Sequence, residues 1–285
     1  MVWVRALLGA GALLAGAGSA AIAAQRQRVS RDRMLASLVR ARDDALPTRV
    51  DFAALDTLPP PVTRYLKGVL HEGQPCIRLA HMRQDGMLKT ALDSARWTAF
   101  EATSLAAPRA PGFLWDARVG LAPLVHVRVR DAFASGRGSS AVLLASAVQL
   151  ASITDNAAID AAALQRYLGE AVWYPTALLP SPGLSWSPID ERSATATLRV
   201  GDLAVSLDFR FDADGRVASV YTAARWMQVD GRFEQRAWEG RFAGYRACDG
   251  IVVPLRGEAG WYVEGEYVRV WRGRWTELAY EWVAA

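Results

Sequence analysis

Five charged residues crowd into one short stretch and can act on a ligand together: Asp116, Arg118, Arg128, Arg130 and Asp131. Guanidinium groups hold carboxylates and phosphates through charge-assisted, often bidentate hydrogen bonds. An anionic headgroup is therefore the ligand such a cluster would take. On a solvated side of a sheet the same residues make an ordinary polar face; covered, they must pair. A second set, Asp116, Arg128, Glu170 and Asp190, would serve an enzyme only if the fold brought distant groups together for acid–base work. Asp190 and Glu191 are adjacent, so in extended chain they point to opposite faces and read as a solvated turn.

Other chemistries lack their sequence signatures. There is no Gly-x-Ser-x-Gly elbow, and no phosphate loop or dinucleotide glycine fingerprint. His71, His81 and His126 contain no close pair of the kind zinc sites use. Cys76 and Cys248 are far apart and form no Cys-x-x-Cys. They read as two unpaired thiols, with a disulfide open only outside the cytoplasm. No metal or cofactor is expected. Asp212-Ala-Asp-Gly215 opens like a calcium loop but lacks the downstream acid, and reads as a hairpin turn.

The elements that must position the charged cluster are strands. Phe113, Trp115, Ala117 and Val119 alternate with Asp116 and Arg118; Val125, Val127 and Val129 alternate with His126, Arg128 and Arg130. This is a hairpin with one apolar and one charged face. Parity requires odd residues opposite odd. A loop of 120–124 pairs Val119 with Val125, Ala117 with Val127 and Trp115 with Val129, placing Asp116 opposite Arg128. Leu203, Val205, Leu207, Phe209 and Phe211 form the cleanest period-two run. Further strands are expected at 217–221, 225–229, 241–247, 251–263, 266–273 and 275–283.

One helical insert interrupts them. Asp155 and Asn156 can cap a helix whose Leu164, Tyr167, Leu168 and Ala171 recur at helical spacing. Pro175 ends it and suits the first position of a new turn. Trp173, Tyr174, Leu178 and Leu179 must then be buried, in the core or over a pocket. Eleven tryptophans suit cores, pockets and membrane interfaces.

The N-terminus is organised differently. Residues 6–24 carry no charge, and a helix over 2–24 would be about 33 Å long, enough for a hydrocarbon core. Arg26, Arg28, Arg31 and Arg33 follow. The positive-inside rule then places a single-pass protein in the inner membrane with its domain on the cytoplasmic side, the periplasmic or extracellular side being the alternative. A signal peptide cleaved near Ala23 is the rival reading. Met34, Leu35, Leu38 and Val39 form an apolar stripe that can rest on lipid headgroups or belong to a solvated stalk. Seven of the basic residues and one acid lie in 1–42, leaving 26 basic and 28 acidic residues beyond. That near-neutral remainder is a poor nucleic-acid surface. The expected divisions are 1–24, an anchor or signal; 25–58, a basic helix and linker; and 59–285, a β-rich domain.

Several pieces together resemble a widespread bacterial family known only as a domain of unknown function, often with N-terminal membrane helices. They are Leu58-Pro-Pro-Pro-Val-Thr-Arg-Tyr65, Pro111-Gly-Phe-Leu-Trp-Asp-Ala117, Trp173-Tyr-Pro-Thr-Ala-Leu-Leu179, Trp238-Glu-Gly240, Gly250-Ile-Val-Val-Pro254 and Trp271-Arg272. The resemblance covers about 55–285 and implies no activity. The C-terminal pattern Phe209-x-Phe-Asp-x-x-Gly215, then Tyr245, Gly250 and Pro254, is similar to the half-barrels of Lol-type lipoprotein carriers. That likeness implies a curved sheet around an apolar cavity and is architectural only.

The expected fold is mainly β (α+β): a single curved antiparallel sheet or half-barrel with short helical inserts, preceded by an N-terminal membrane helix. The expected function is a membrane-tethered, non-enzymatic module for an apolar or amphipathic ligand or an envelope partner. Its candidate ligand-binding residues are Trp115, Asp116, Arg118, Arg128, Arg130, Trp173 and Tyr174.

Overall fold

A computed structural model describes residues 2–41, 46–122 and 125–284, with side chains described outside 2–20, 121–122 and 125. Helix α1 (Val2–Arg40) and helix α2 (Pro60–Val69) precede strands β1 (Ile77–Leu88), β2 (Thr98–Ala107), β3 (Gly112–Ala122), β4 (Val125–Ala134), β5 (Arg137–Leu144) and β6 (Val148–Ile153). Helix α3 (Ala157–Glu170) and two one-turn helices, Ala171–Trp173 and Pro175–Leu178, follow. The chain ends with β7 (Leu184–Asp190), β8 (Ser193–Val200), β9 (Leu203–Phe211), β10 (Val217–Val229), β11 (Arg232–Cys248), β12 (Ile251–Val263) and β13 (Glu266–Trp282).

The described strands form one antiparallel sheet of thirteen, in the order β6-β5-β4-β3-β2-β1-β13-β12-β11-β10-β9-β8-β7. Two consecutive meanders thus meet where the first strand pairs with the last. Helix α3 shows how far the sheet curls. It packs on β4 and β5 near one edge and on β9 and β10 near the other. In a flat sheet β5 and β10 would be nearly 40 Å apart, at about 4.8 Å per strand. A helix about 10 Å across can touch both only if the sheet wraps around it. The result is a half-barrel with helices α2 and α3 on its concave side.

The core fills that concavity. Strand β9 buries Val205, Leu207, Phe209 and Phe211 and turns Ala204, Ser206 and Arg210 outward, as its alternation requires. Helix α3 starts where expected: Asn156 accepts a hydrogen bond from the Ala158 amide at 2.8 Å. Tyr167, Leu168, Trp173, Tyr174, Leu178 and Leu179 are all buried. Gly86, Gly273 and Gly257 are successive partners across β1, β13 and β12. A Cβ on Gly273 would lie 2.6 Å from the Trp271 ring, and one on Gly257 3.2 Å from Trp173. This row without side chains lets large rings lie against the sheet.

The N-terminal expectations need correcting. Among the described residues no helix is long and apolar enough to cross a membrane, so a single-pass inner-membrane placement is not upheld. Beyond residue 24, α1 continues through Arg26, Arg28, Arg31, Asp32 and Arg33 to Arg40, a charged stretch that hydrocarbon would not accept. Most of the expected span, 1–20, lies outside the described side chains. The stripe beyond it has a different partner from lipid or solvent. Met34, Leu35 and Leu38 pack against Leu79, Leu105, Leu114 and Ala132 on the convex face of the sheet, while Val39 is exposed.

The β3–β4 hairpin forms with odd residues opposite odd, but two residues out of the expected register. Val119 pairs with Val127, Ala117 with Val129 and Asp116 with Arg130. Two pairs of shorter expected strands also merge: 217–221 with 225–229 into β10, and 266–273 with 275–283 into β13.

Candidate ligand cavity

Between the curled sheet and the C-terminal end of α3 lies a cavity of about 560 Å³. Five of the eleven tryptophans line it: Trp115, Trp173, Trp238, Trp261 and Trp271. Phe242 and the valines Val119, Val127, Val129 and Val142 complete an apolar wall. Their placement follows from strand parity. Trp238 faces Trp261 across β11 and β12, and Trp271 faces Ala259 across β13 and β12, all on the concave face. Trp173 enters from the helical side. Its ring stacks on Trp275, meets Phe242 edge-on at 5.3 Å, and donates from Nε1 to the Pro254 carbonyl at 2.8 Å.

Polar groups converge at one side. Arg166 on α3 donates from Nε to Glu170 at 2.7 Å and from Nη1 to Asp131 at 2.8 Å, and its guanidinium carbon lies 4.7 Å from the Trp115 ring centre. Burial alone would lower its pKa, but Glu170 and Asp131 outweigh burial and raise it. Ser140 donates to the second Asp131 oxygen at 2.7 Å. Arg225 on β10 lines the same cavity, its guanidinium carbon 4.8 Å from the Trp238 ring centre.

The sequence-expected residues divide between two faces. Trp115 and Trp173 line the cavity, and Tyr174 is buried behind it, donating to the Tyr167 carbonyl at 2.7 Å. Asp116, Arg118, Arg128 and Arg130 lie on the convex face. There Asp116 accepts from Arg128 at 3.3 Å and Arg130 at 3.4 Å, and Arg130 reaches the Gln27 carbonyl of α1. Asp116 and Arg130 are buried, and Arg118 is exposed. A headgroup on these arginines and a chain in the cavity would therefore be separated by the sheet. Asp131, grouped with them from the sequence, faces the cavity instead. The rival enzyme set does not converge either: Asp116 and Arg128 are convex, Glu170 is in the cavity, and Asp190 lies near the far edge of the sheet.

Sequence reasoning alone misses Arg166, Arg225, Trp238, Trp261 and Trp271 as cavity residues. The aromatic signal was present in the glycine-punctuated C-terminal strands. Arg225 was hidden because the β10–β11 register shifts between Thr222 and Arg225. The bulge reverses the alternation and turns Arg225 inward.

A family model described as a family of unknown function, DUF6920, matches residues 56–280. No curated protein matches the chain. Among solved structures, the chain is similar to a LolA superfamily protein from Nitrosomonas europaea, with 11% identity, a TM-score of 0.38, and coverage of 72% of this chain and 87% of that one.

Proposed function

We propose that this chain, which belongs to the DUF6920 family of unknown function, binds an apolar or amphipathic, lipid-like molecule inside its half-barrel. The observation that carries this reading is the cavity itself. Its volume of about 560 Å³ falls within the range of small-molecule sites, which are concave, mainly apolar and have a few placed polar groups. Five indoles give it a large apolar surface, and an aromatic wall left facing water would be costly in a mere packing defect.

The binding would work by burial. An alkyl or ring-containing portion displaces water from the tryptophans and valines, which supplies most of the affinity. The polar groups around Arg166 and Arg225 sit at one side and orient the ligand. The convex cluster around Asp116 serves another purpose, holding α1 against the sheet. Mass spectrometry of small molecules extracted from the purified protein tests this reading. A stoichiometric amphiphile, lost when Val129→Phe and Val142→Phe together fill the cavity, is the expected result. A folded protein that carries no such molecule and takes up none when offered would overturn it.

A further inference from the structure

A buried cation in the cavity wall has incomplete hydrogen bonds. Nη1 of Arg225 is buried and has no hydrogen-bond partner among the described residues. Its neighbour Arg166 is in the opposite condition, with Glu170 and Asp131 both bonded to it. The formal charges of Arg166, Arg225, Glu170 and Asp131 cancel, yet both carboxylates are directed at Arg166. Burial lowers the Arg225 pKa to about 10, Arg166 adds to the effect, and Glu170 and Asp131 only partly offset them. A buried cation with an unsatisfied donor is costly, and a fold that keeps one in a cavity wall gains when an anion enters.

The backbone at this point is built to hold the cation there. The register shift between Thr222 and Arg225 turns the side chain to the concave face. The displaced residues are fixed on both sides: Gln165 of α3 donates to the Ala224 carbonyl at 3.4 Å, and the Ala224 amide donates to Thr222 Oγ1 at 3.2 Å. The Trp238 ring then lies against the guanidinium, which leaves it planar and oriented. The indole Nε1 of Trp115, in the same wall, also lacks a partner among the described residues.

We infer that Arg225 is the specificity-determining residue of the cavity, binding the carboxylate or phosphate end of an anionic amphiphile whose apolar part lies along the tryptophans. This rests on the proposed ligand-binding function and narrows it to one ligand class.

The test compares three probes of equal chain length, decanoate, decyl phosphate and decan-1-ol, with inorganic phosphate as a fourth. Each displaces a neutral fluorescent naphthylamine from the full chain or is titrated calorimetrically. Wild-type protein should bind the two anionic probes at least about tenfold more tightly than the alcohol, the worth of one charge-assisted hydrogen bond. Arg225→Met should lose that preference while keeping its affinity for decan-1-ol; Arg225→Gln provides a second variant should the first misfold. Whichever of decanoate and decyl phosphate binds more tightly identifies the headgroup. Equal binding of alcohol and anions by wild-type protein overturns the role of Arg225 and leaves the apolar cavity standing. Inorganic phosphate binding as tightly as decyl phosphate overturns the amphiphile. No binding of naphthylamine or any chain defeats the cavity reading as well.

Discussion

The Trp173 indole stacks on Trp275 with ring centres 3.8 Å apart and planes inclined by 24°. Trp173 is buried and its backbone carbonyl also accepts from the Tyr280 hydroxyl at 2.7 Å. It thus joins the helical insert to β13 while presenting part of its ring to the cavity. Trp173→Ala should cost roughly 3–5 kcal/mol of stability, and Leu178→Ala, behind it, about 2–5. Urea unfolding followed by circular dichroism measures both, and a loss below about 1 kcal/mol for Trp173→Ala would show that the insert is not part of the core.

Gly273 makes a narrower test of how the cavity floor is built. A methyl group there would lie 2.6 Å from the Trp271 ring, so the indole must shift toward the cavity. Gly273→Ala should cost roughly 1–3 kcal/mol and weaken ligand uptake, whereas Gly68→Ala, on an open side of α2 with ordinary backbone angles, should leave uptake unchanged. Thermal unfolding and probe displacement on the two variants report these effects.

The convex cluster predicts a coupling between Asp116 on β3 and Arg130 on β4. Asp116 neutralises Arg130, whose pKa burial lowers and Asp116 partly restores. Asp116→Ala leaves that guanidinium buried without its carboxylate and should cost roughly 3–5 kcal/mol. Adding Arg130→Met should recover part of the loss. Equilibrium unfolding of the two single variants and the double variant closes this cycle, and strict additivity would contradict the pair.

Glu239 carries a pH dependence with a definite sign. Burial would raise its pKa, but hydrogen bonds from Arg241, Tyr262 and Ser219 prevail and hold it below the ordinary glutamate range. A depressed folded value stabilises the protein above the ordinary range, and that contribution disappears as pH falls through the lowered value. Glu239→Gln should therefore be less stable than wild type at neutral pH, with the gap closing in acid. A gap that widens on acidification would contradict the assignment.

These structural details differ in how far the sequence reveals them. Alternation at 113–119 and 125–129 determines which side chains share a face, because one residue of slip would mix the faces. It does not determine the register, because a slide of two preserves parity. Asp116 meets an arginine either way, Arg128 in the expected pairing and Arg130 in the observed one, so charge complementarity cannot choose between them. Helix α3 was legible through Asn156 and its apolar spacing. Its position inside the half-barrel was not, since no local signal states that β5 and β10 approach one another. Arg225 was the least visible of all: simple alternation from Thr222 puts it outside, and only the bulge brings it in.

The most direct test of the cavity is quenching of its tryptophans by a heavy-atom chain. Titration with a terminally brominated ten-carbon chain should quench fluorescence saturably with one-to-one stoichiometry, and much more than its unbrominated counterpart. Val129→Phe combined with Val142→Phe, both in the cavity wall, should abolish the saturable component while the protein stays folded. Quenching that rises linearly without saturating, or that persists unchanged in the filled variant, would contradict a ligand site inside the half-barrel.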